Sequence, residues 1–252
     1  MTELPPHPGL TRARYGLDAP GVVRTFALLA TGLIGGGLVL RALSTSGSGG
    51  QRFGTTLLWP GASFALTALL MVVSSRFGKL RARDRMLAHI PLRGDETALD
   101  VGCGHGLMLI GAAKRLPRGQ SIGIDLWSQT DQHANSAEAT LANARAEGVQ
   151  DRVSVRDGDM RRLPFEDATV DVVLSSLAIH NVPTADERAL AIREIARVLR
   201  PGGRVGIMDI AHVGEYARDL VAQGLVVECI GLTPWIFPPT RELIARKPGV
   251  TQ

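Results

Sequence analysis

Three carboxylates, three glycines and a histidine stand at spacings that can do chemistry. Asp100 is followed at once by Gly102, Cys103, Gly104 and Gly106; Asp125 comes 19 residues after the last of these glycines; Asp159 lies in Asp157-Gly158-Asp159-Met160. Glycine at every second position lets a backbone approach a ligand that side chains would hold off. A helix opening behind such a turn presents N–H groups and the positive end of its dipole. The carboxylates then have distinct uses: Asp100 as counter-charge to an ammonium, Asp125 as acceptor from a ribose diol, and Asp159 as acceptor from an exocyclic amine, with Met160 packed on the ring. The third glycine comes one position too early for the dinucleotide fingerprint. Further on, Ser175-Ser-Leu-Ala-Ile-His180-Asn181 offers a general base in His180 and a hydrogen-bonding amide in Asn181, with Asp209 as a second polar candidate. No metal is expected, because the two cysteines, Cys103 and Cys229, lack ligand spacing, and so few of them point to a reducing compartment.

These residues need a sheet whose strands all deliver their ends to one edge. From Asp95 onward, short apolar runs alternate with helical patterns. Strands are predicted at 97–101, 121–125, 152–156, 170–176, 204–210, 225–232 and 241–246. Helices are predicted from His105 to Leu116 and over 135–147, 186–199 and 214–223. Repeated strand–helix units imply a parallel α/β sheet with helices on both faces. Pro238-Pro239 before the last strand implies a hairpin return, so that strand is expected to be antiparallel.

The chain before Asp95 has another character. Residues 1–92 hold 10 Lys/Arg against 3 Asp/Glu, whereas residues 93–252 hold 18 against 21. The basic excess lies outside the segment that carries these residues, which speaks against nucleic acid as partner. Residues 1–20 read as a flexible tail. Residues 21–75 contain two uncharged runs, Thr25–Leu40 between arginines 24 and 41, and Phe53–Ser75 between arginines 52 and 76. At about 1.5 Å per residue the second run spans a hydrocarbon core of roughly 30 Å, and the first does so with its flanks. They read as a transmembrane helical hairpin in the bilayer. Gly32, Gly35, Gly36 and Gly37 suit close helix contact, including a homodimer. The cluster Arg76, Lys79, Arg81, Arg83 and Arg85 places both termini, and an integral membrane protein's catalytic domain, on the cytoplasmic face. Residues 76–94, with Phe77, Leu80, Leu87 and Ile90 among these cations, read as a basic interfacial linker helix. Residues 95–252 form the remaining domain.

LDVGCGHG, GID and GDM, followed by LPFEDATVDVVLSSLAIHNV and REIARVLRPGGRVGIMD, resemble the ordered motifs of class I S-adenosylmethionine-dependent methyltransferases, in the branch of quinone-biosynthesis and small-molecule enzymes. The resemblance covers about residues 95–247. It implies a seven-stranded, mostly parallel Rossmann-like methyltransferase sheet in the order 3-2-1-4-5-7-6, with S-adenosyl-L-methionine as cofactor. By that resemblance Asp100, Gly102, Cys103, Gly104 and Gly106 line the methionine end, and Asp125 holds the ribose. Trp127 or Leu126 packs on the adenine, Gly158, Asp159 and Met160 border it, and Ser175 completes the set. His180 and Asn181 face the transferring methyl. The acceptor expected is a small molecule or lipid, lipophilic in character, completed by the membrane-facing segment 76–92. Two other readings stay open: a membrane-tethered cofactor-binding scaffold without turnover, and a nicotinamide-dependent oxidoreductase.

Overall fold

The computed structural model describes residues 13–128 and 135–249. Of the tail expected over residues 1–20, residues 1–12 lie outside them. The chain divides into two compact units: residues 17–79, and a larger unit made of residues up to Gly16 together with Leu80 onward.

The larger unit holds a seven-stranded sheet in the order β3-β2-β1-β4-β5-β7-β6. The strands are β1 (Thr97–Val101), β2 (Gln120–Asp125), β3 (Val153–Asp157), β4 (Val170–Ser176), β5 (Leu199–Asp209), β6 (Val226–Thr233) and β7 (Thr240–Arg246). The first five pair in parallel, and β7 runs antiparallel between β5 and β6, as the proline pair implied. The central strands are apolar on both faces because helices cover both. β5 begins five residues earlier than its apolar run: Leu199 already pairs with Val170, and a bulge absorbs the Pro-Gly-Gly before Arg204 meets Val172. On one face, α6 (Ala185–Val198) and α7 (Val213–Ala222) bury Ile192, Ile195 and Leu220 against Leu99, Val173 and Val205. On the other lie α4 (Leu107–Ala113) and α5 (Ala137–Ala146).

A further helix lies on that second face. α3 (Lys79–His89) falls in the segment expected to be an interfacial linker. Its Ala82, Met86 and Leu87, and Ile90 just beyond it, are buried against Ala98, Met108, Leu116, Val172, Leu174, Met208 and Ile244. A Cβ added to Gly111 would lie 3.0 Å from Leu87 Cδ1, and one added to Gly206 2.9 Å from Met86 Cε. The apolar face expected to meet lipid is therefore core. Burying each large side chain in this way is worth about 1.5–3 kcal/mol, more than an interfacial residue would gain from partial immersion. The sheet-bearing unit thus resumes at Leu80, ahead of the Asp95 boundary expected. Arg81 and Arg85 point away from it and are exposed, which is why the sequence looked amphipathic toward lipid.

The smaller unit contains α1 (Pro20–Leu43) and α2 (Gly49–Val73), each long and apolar enough to cross a membrane. A single π-helical turn, Ser74–Gly78, follows α2. Pro20 suits a first helical turn, and Ser48 accepts from Gln51 N to cap α2. The two helices approach closely at glycines. A Cβ on Gly37 would lie 2.6 Å from the Gly54 carbonyl oxygen, and one on Gly54 2.6 Å from that of Gly37. Gly61 meets Ile34 in the same way. Gly37 is thus used within the hairpin, while Gly32, Gly35 and Gly36 have nothing within 4 Å among the described residues. Most large apolar side chains point outward: Leu28 is 64% exposed, Leu66 57% and Trp59 79%.

Candidate active site

The parallel strands deliver Asp100, Asp125, Ser175 and Asp209 to one end of the sheet. The turn after β1 is held from several sides. Gly102 N and Cys103 N both donate to the Ile124 carbonyl, at 2.8 and 3.0 Å. Gly104 N donates to Asp125 Oδ2 at 2.8 Å. All three glycines have positive φ: 74°, 48° and 84°. Gly102 is further constrained by space, because a Cβ there would come within 2.3 Å of Ala178 Cβ and 3.5 Å of the Met160 methyl. From α5, Thr140 donates its hydroxyl to the Gly104 carbonyl at 2.5 Å, and Asn143 Nδ2 donates to the His105 carbonyl at 2.9 Å. Neither α5 residue carries a motif that sequence reasoning could single out.

Asp100 lies beneath the turn rather than lining it, and is buried. Its Oδ2 accepts from Leu109 N at 2.8 Å, while Oδ1 has no hydrogen-bond partner among the described residues. Burial, and next the charge of Asp125, raise its pKa to about 7 against the Leu109 hydrogen bond. The carboxyl thus lies next to the turn from below, close to where the amino-acid end of a ligand is expected. The Asp125 carboxylate stands at the end of β2, with Oδ1 accepting from Trp127 N at 2.7 Å and from Asn135 Nδ2 at 3.2 Å.

Several expected ligand residues have other work. The Cys103 side chain turns into a cluster with Leu109, Ile110 and Val153, and burial raises its thiol pKa well above normal. Ser175 is buried and donates to the Val101 carbonyl at 2.8 Å, tying β4 to β1 below the turn. Trp127 packs against the Cys103 cluster and donates Nε1 to Asp157 Oδ1 at 2.6 Å, whereas Leu126 stands exposed at the strand end. Gly158 N donates to the Asp125 carbonyl at 3.1 Å, setting the start of the next turn. Asp159 is grasped by Arg161, whose Nη2 lies 2.6 Å from Oδ2. Those hydrogen bonds hold the Asp159 carboxyl below the usual range. Arg161 also reaches Glu187 at 2.5 Å, linking the turn to the first turn of α6. Arg161 directly follows the Gly158-Asp159-Met160 motif, but only the fold shows that its guanidinium turns back onto Asp159.

A second cluster lies at the ends of β4 and β5. His180 sits in a short 3₁₀ turn, Ile179–Asn181, and Asn181 is exposed beside it. Asp209 is fully buried and accepts from His180 N at 3.1 Å and Ile210 N at 2.8 Å. The Tyr216 hydroxyl lies 3.5 Å from its Oδ2. His180 Nδ1 lies 2.6 Å from Asp209 Oδ1. That is ion-pair distance, although the atoms are not aligned as a hydrogen bond. A buried carboxylate behind an imidazole favours the proton on Nδ1 and leaves Nε2 as the acceptor. Sequence reasoning had both residues but not their pairing, since they are 29 residues apart.

Whether a sulfonium nucleoside suits this site can be tested on these features. The cradle at Gly102 excludes even a methyl group, Asp125 ends β2 at the rim, and Asp100 puts an uncompensated acceptor under the turn. All three fit a ligand with an α-ammonium, a ribose diol and a positive centre. Among the described residues no group of His, Cys, Asp and Glu is arranged to hold a metal ion.

Comparison with known proteins agrees. Residues 99–207 match a family model described as a methyltransferase domain. The chain is 32% identical over 133 residues to a demethylmenaquinone methyltransferase of Lactobacillus johnsonii, covering 52% of this chain and 50% of that protein. It is 35% identical over 136 residues to the 27-O-demethylrifamycin SV methyltransferase of Amycolatopsis mediterranei, covering 53% and 45%. The chain thus spans about half the length of the curated relatives it matches. Among solved structures, a geranyl diphosphate methyltransferase bound to GPP and sinefungin superposes with a TM-score of 0.57 at 19% identity, over 72% of this chain and 83% of that one. The [4+2]-cyclase SpnF gives 0.56 at 22%, over 68% and 82%. At these identities the structural likeness concerns the fold.

Proposed function

We propose that this chain is a membrane-anchored methyltransferase that moves a methyl group from S-adenosylmethionine to a small, lipophilic acceptor. The observation that carries the reading is the pairing, on one sheet edge, of the glycine turn and Asp125 with the His180–Asp209 couple. The first two are a nucleoside site, and the third is a proton acceptor beside it. S-adenosylmethionine, when bound, supplies an electrophilic methyl on a sulfonium centre. Gly102, Gly104 and Gly106 give its amino-acid end room, Asp100 supplies opposite charge from below, Asp125 accepts from the ribose, and Leu126 and Met160 flank the base. Asp159, already oriented by Arg161, accepts from the adenine amine.

His180 takes a proton from an acceptor that is protonated at neutral pH, such as a phenol, thiol or ammonium. Asp209 holds the ring's orientation and stabilises the imidazolium. Asn181, exposed beside it, is placed to hydrogen-bond the acceptor. Positioning of two reactants and exclusion of water supply the remainder of the acceleration.

The lipophilic acceptor is inferred from the anchor. Two membrane-length helices turn Leu28, Trp59 and Leu66 outward, an arrangement costly in water and natural in a bilayer. The basic residues after α2 support a cytoplasmic position for the catalytic body. The face carrying Gly32, Gly35 and Gly36 is where a homodimer contact would form. A quinone precursor, lipid amine, phenol or thiol fits these constraints.

The test is incubation of the full chain in vesicles with methyl-labelled S-adenosylmethionine and a cell extract, followed by mass spectrometry. A labelled lipophilic product supports the reading, and its loss in His180→Ala assigns the base. Since this fold also serves the [4+2]-cyclase SpnF, ligand binding without label transfer would favour a non-transferring role.

A further inference from the structure

Residues 13–16 belong to the catalytic body although they precede the hairpin. They were expected to be part of a flexible tail. Instead Arg14 pairs through its backbone with the Asn143 side chain in both directions: Arg14 N donates to Oδ1 at 2.8 Å, and Nδ2 donates to the Arg14 carbonyl at 3.0 Å. This copies the pairing of two strands, using a side-chain amide as one partner. The same Nδ2 donates to the His105 carbonyl inside the glycine turn. Tyr15 packs on the cluster containing Leu109, Ile110 and Ala144. A Cβ on Gly16 would meet the His105 ring at 3.6 Å. Burial and Glu147 raise the Tyr15 pKa, so its hydroxyl stays neutral and sealed in the protein.

Asn143 is itself almost fully buried. Its three hydrogen bonds join α5, the turn and the strap. Losing them would leave two carbonyls and one N–H of the backbone, all part-buried, short of these partners. We infer that Asn143 is a positioning residue that couples the N-terminal strap to the cofactor turn, so that ligand held by the turn and order in the strap stabilise each other. This rests on the methyl-donor reading above. Three residues after the strap the chain enters α1, so the coupling acts on the segment that joins the catalytic body to the hairpin. Linkage requires reciprocity: whatever the strap does for ligand affinity, the ligand must do for strap order.

The experiment uses the full chain in detergent, adenosylhomocysteine as probe, calorimetric affinity, and hydrogen exchange of the strap amides. In the native chain the ligand should slow exchange at 14–17 at least threefold. Asn143→Ala should weaken the affinity about tenfold and abolish the slowing. Asn143→Asp keeps the acceptor for Arg14 N but loses both donations, and should resemble Asn143→Ala. Arg14→Pro removes the strap donor while leaving α5 and the turn untouched, and should also weaken binding; Arg14→Ala, which keeps the N–H, should not. A purely structural Asn143 would leave Arg14→Pro with native affinity and the strap indifferent to ligand. Binding without any change in strap exchange overturns the coupling and leaves the methyl-donor reading standing. No binding by the intact chain overturns both.

Discussion

Replacing Asp100 by Asn should stabilise the free protein at pH 8 while weakening it as a receptor. The carboxyl pKa rises from an ordinary 3.8 to about 7 in the folded chain, chiefly because burial penalises the charge. A raised acid pKa means that folding favours the protonated form. The stability so conferred is complete below about pH 4 and is lost as pH rises through about 7. Relative to low pH, this costs the fold on the order of 4 kcal/mol at pH 8, and roughly 1–2 kcal/mol at pH 5, where the folded carboxyl is still protonated but the unfolded one is ionised. Asparagine still accepts from Leu109 N, but places an amide N–H₂ where Oδ1 lacked a partner, at a pH-independent cost of about 1–3 kcal/mol. The variant should therefore be more stable by about 1–3 kcal/mol at pH 8 and near neutral at pH 5. Native-state hydrogen exchange of the β1 amides in the full chain, measured for both proteins at several pH values, gives the opening free energies directly. The difference between the two should change by roughly 2–3 kcal/mol between pH 5 and pH 8. Parallel curves would refute the reasoning, because they would mean that Asp100 carries no proton linkage. Adenosylhomocysteine should then bind the variant more weakly, since the neutral amide no longer compensates an ammonium.

Other substitutions probe the remaining links. Gly102→Ala should abolish adenosylhomocysteine binding in calorimetry, because the new methyl meets Ala178 Cβ in a left-handed backbone position. His180→Ala and Asp209→Asn should each lower kcat by about 10²–10⁴ in a labelled-methyl assay with a protonated acceptor, with adenosylhomocysteine affinity kept in the first. Arg161→Ala should release Asp159 and weaken binding of the adenine nucleoside more than that of its 6-oxo analogue, read by competition. Met86→Ala should cost about 2–5 kcal/mol in the exchange measurement on β1, because α3 is core; a surface helix would lose almost nothing.

The strand pattern was legible because each run is short, apolar and closed by turn residues, and the sheet order followed once the motifs had been recognised. Asp125 and the glycines were legible for a similar reason, since their chemistry sits at fixed distances along the chain. The failures have physical causes. α3 carries core residues at 82, 86, 87 and 90, but arginines at 81, 83 and 85 interleave with them and imitate a lipid-surface helix. Arg83 resolves this by lying along Gly111. Cys103 and Ser175 look like ligand residues because they neighbour the site, yet side-chain direction decides their partners and alternation alone did not give it. Asp159 needed Arg161, and His180 needed Asp209, and such pairs form only when turns close. The strap at 13–16 has no periodicity, since its bonds run from backbone to a distant amide.

The interrupted make-up of the catalytic body has a practical consequence. Topologically, residues 17–79 are an insertion between a short first piece of that body and its long second piece. A truncation that starts after the hairpin discards the first piece, and with it both Arg14 bonds to Asn143. A water-soluble version is better made by excision: keep residues 1–16, remove the inserted helices, and join Gly16 to Leu80 through a flexible linker. Such a chain retains the strap and its bonds to Asn143, and would let the same body be studied with and without the two apolar helices.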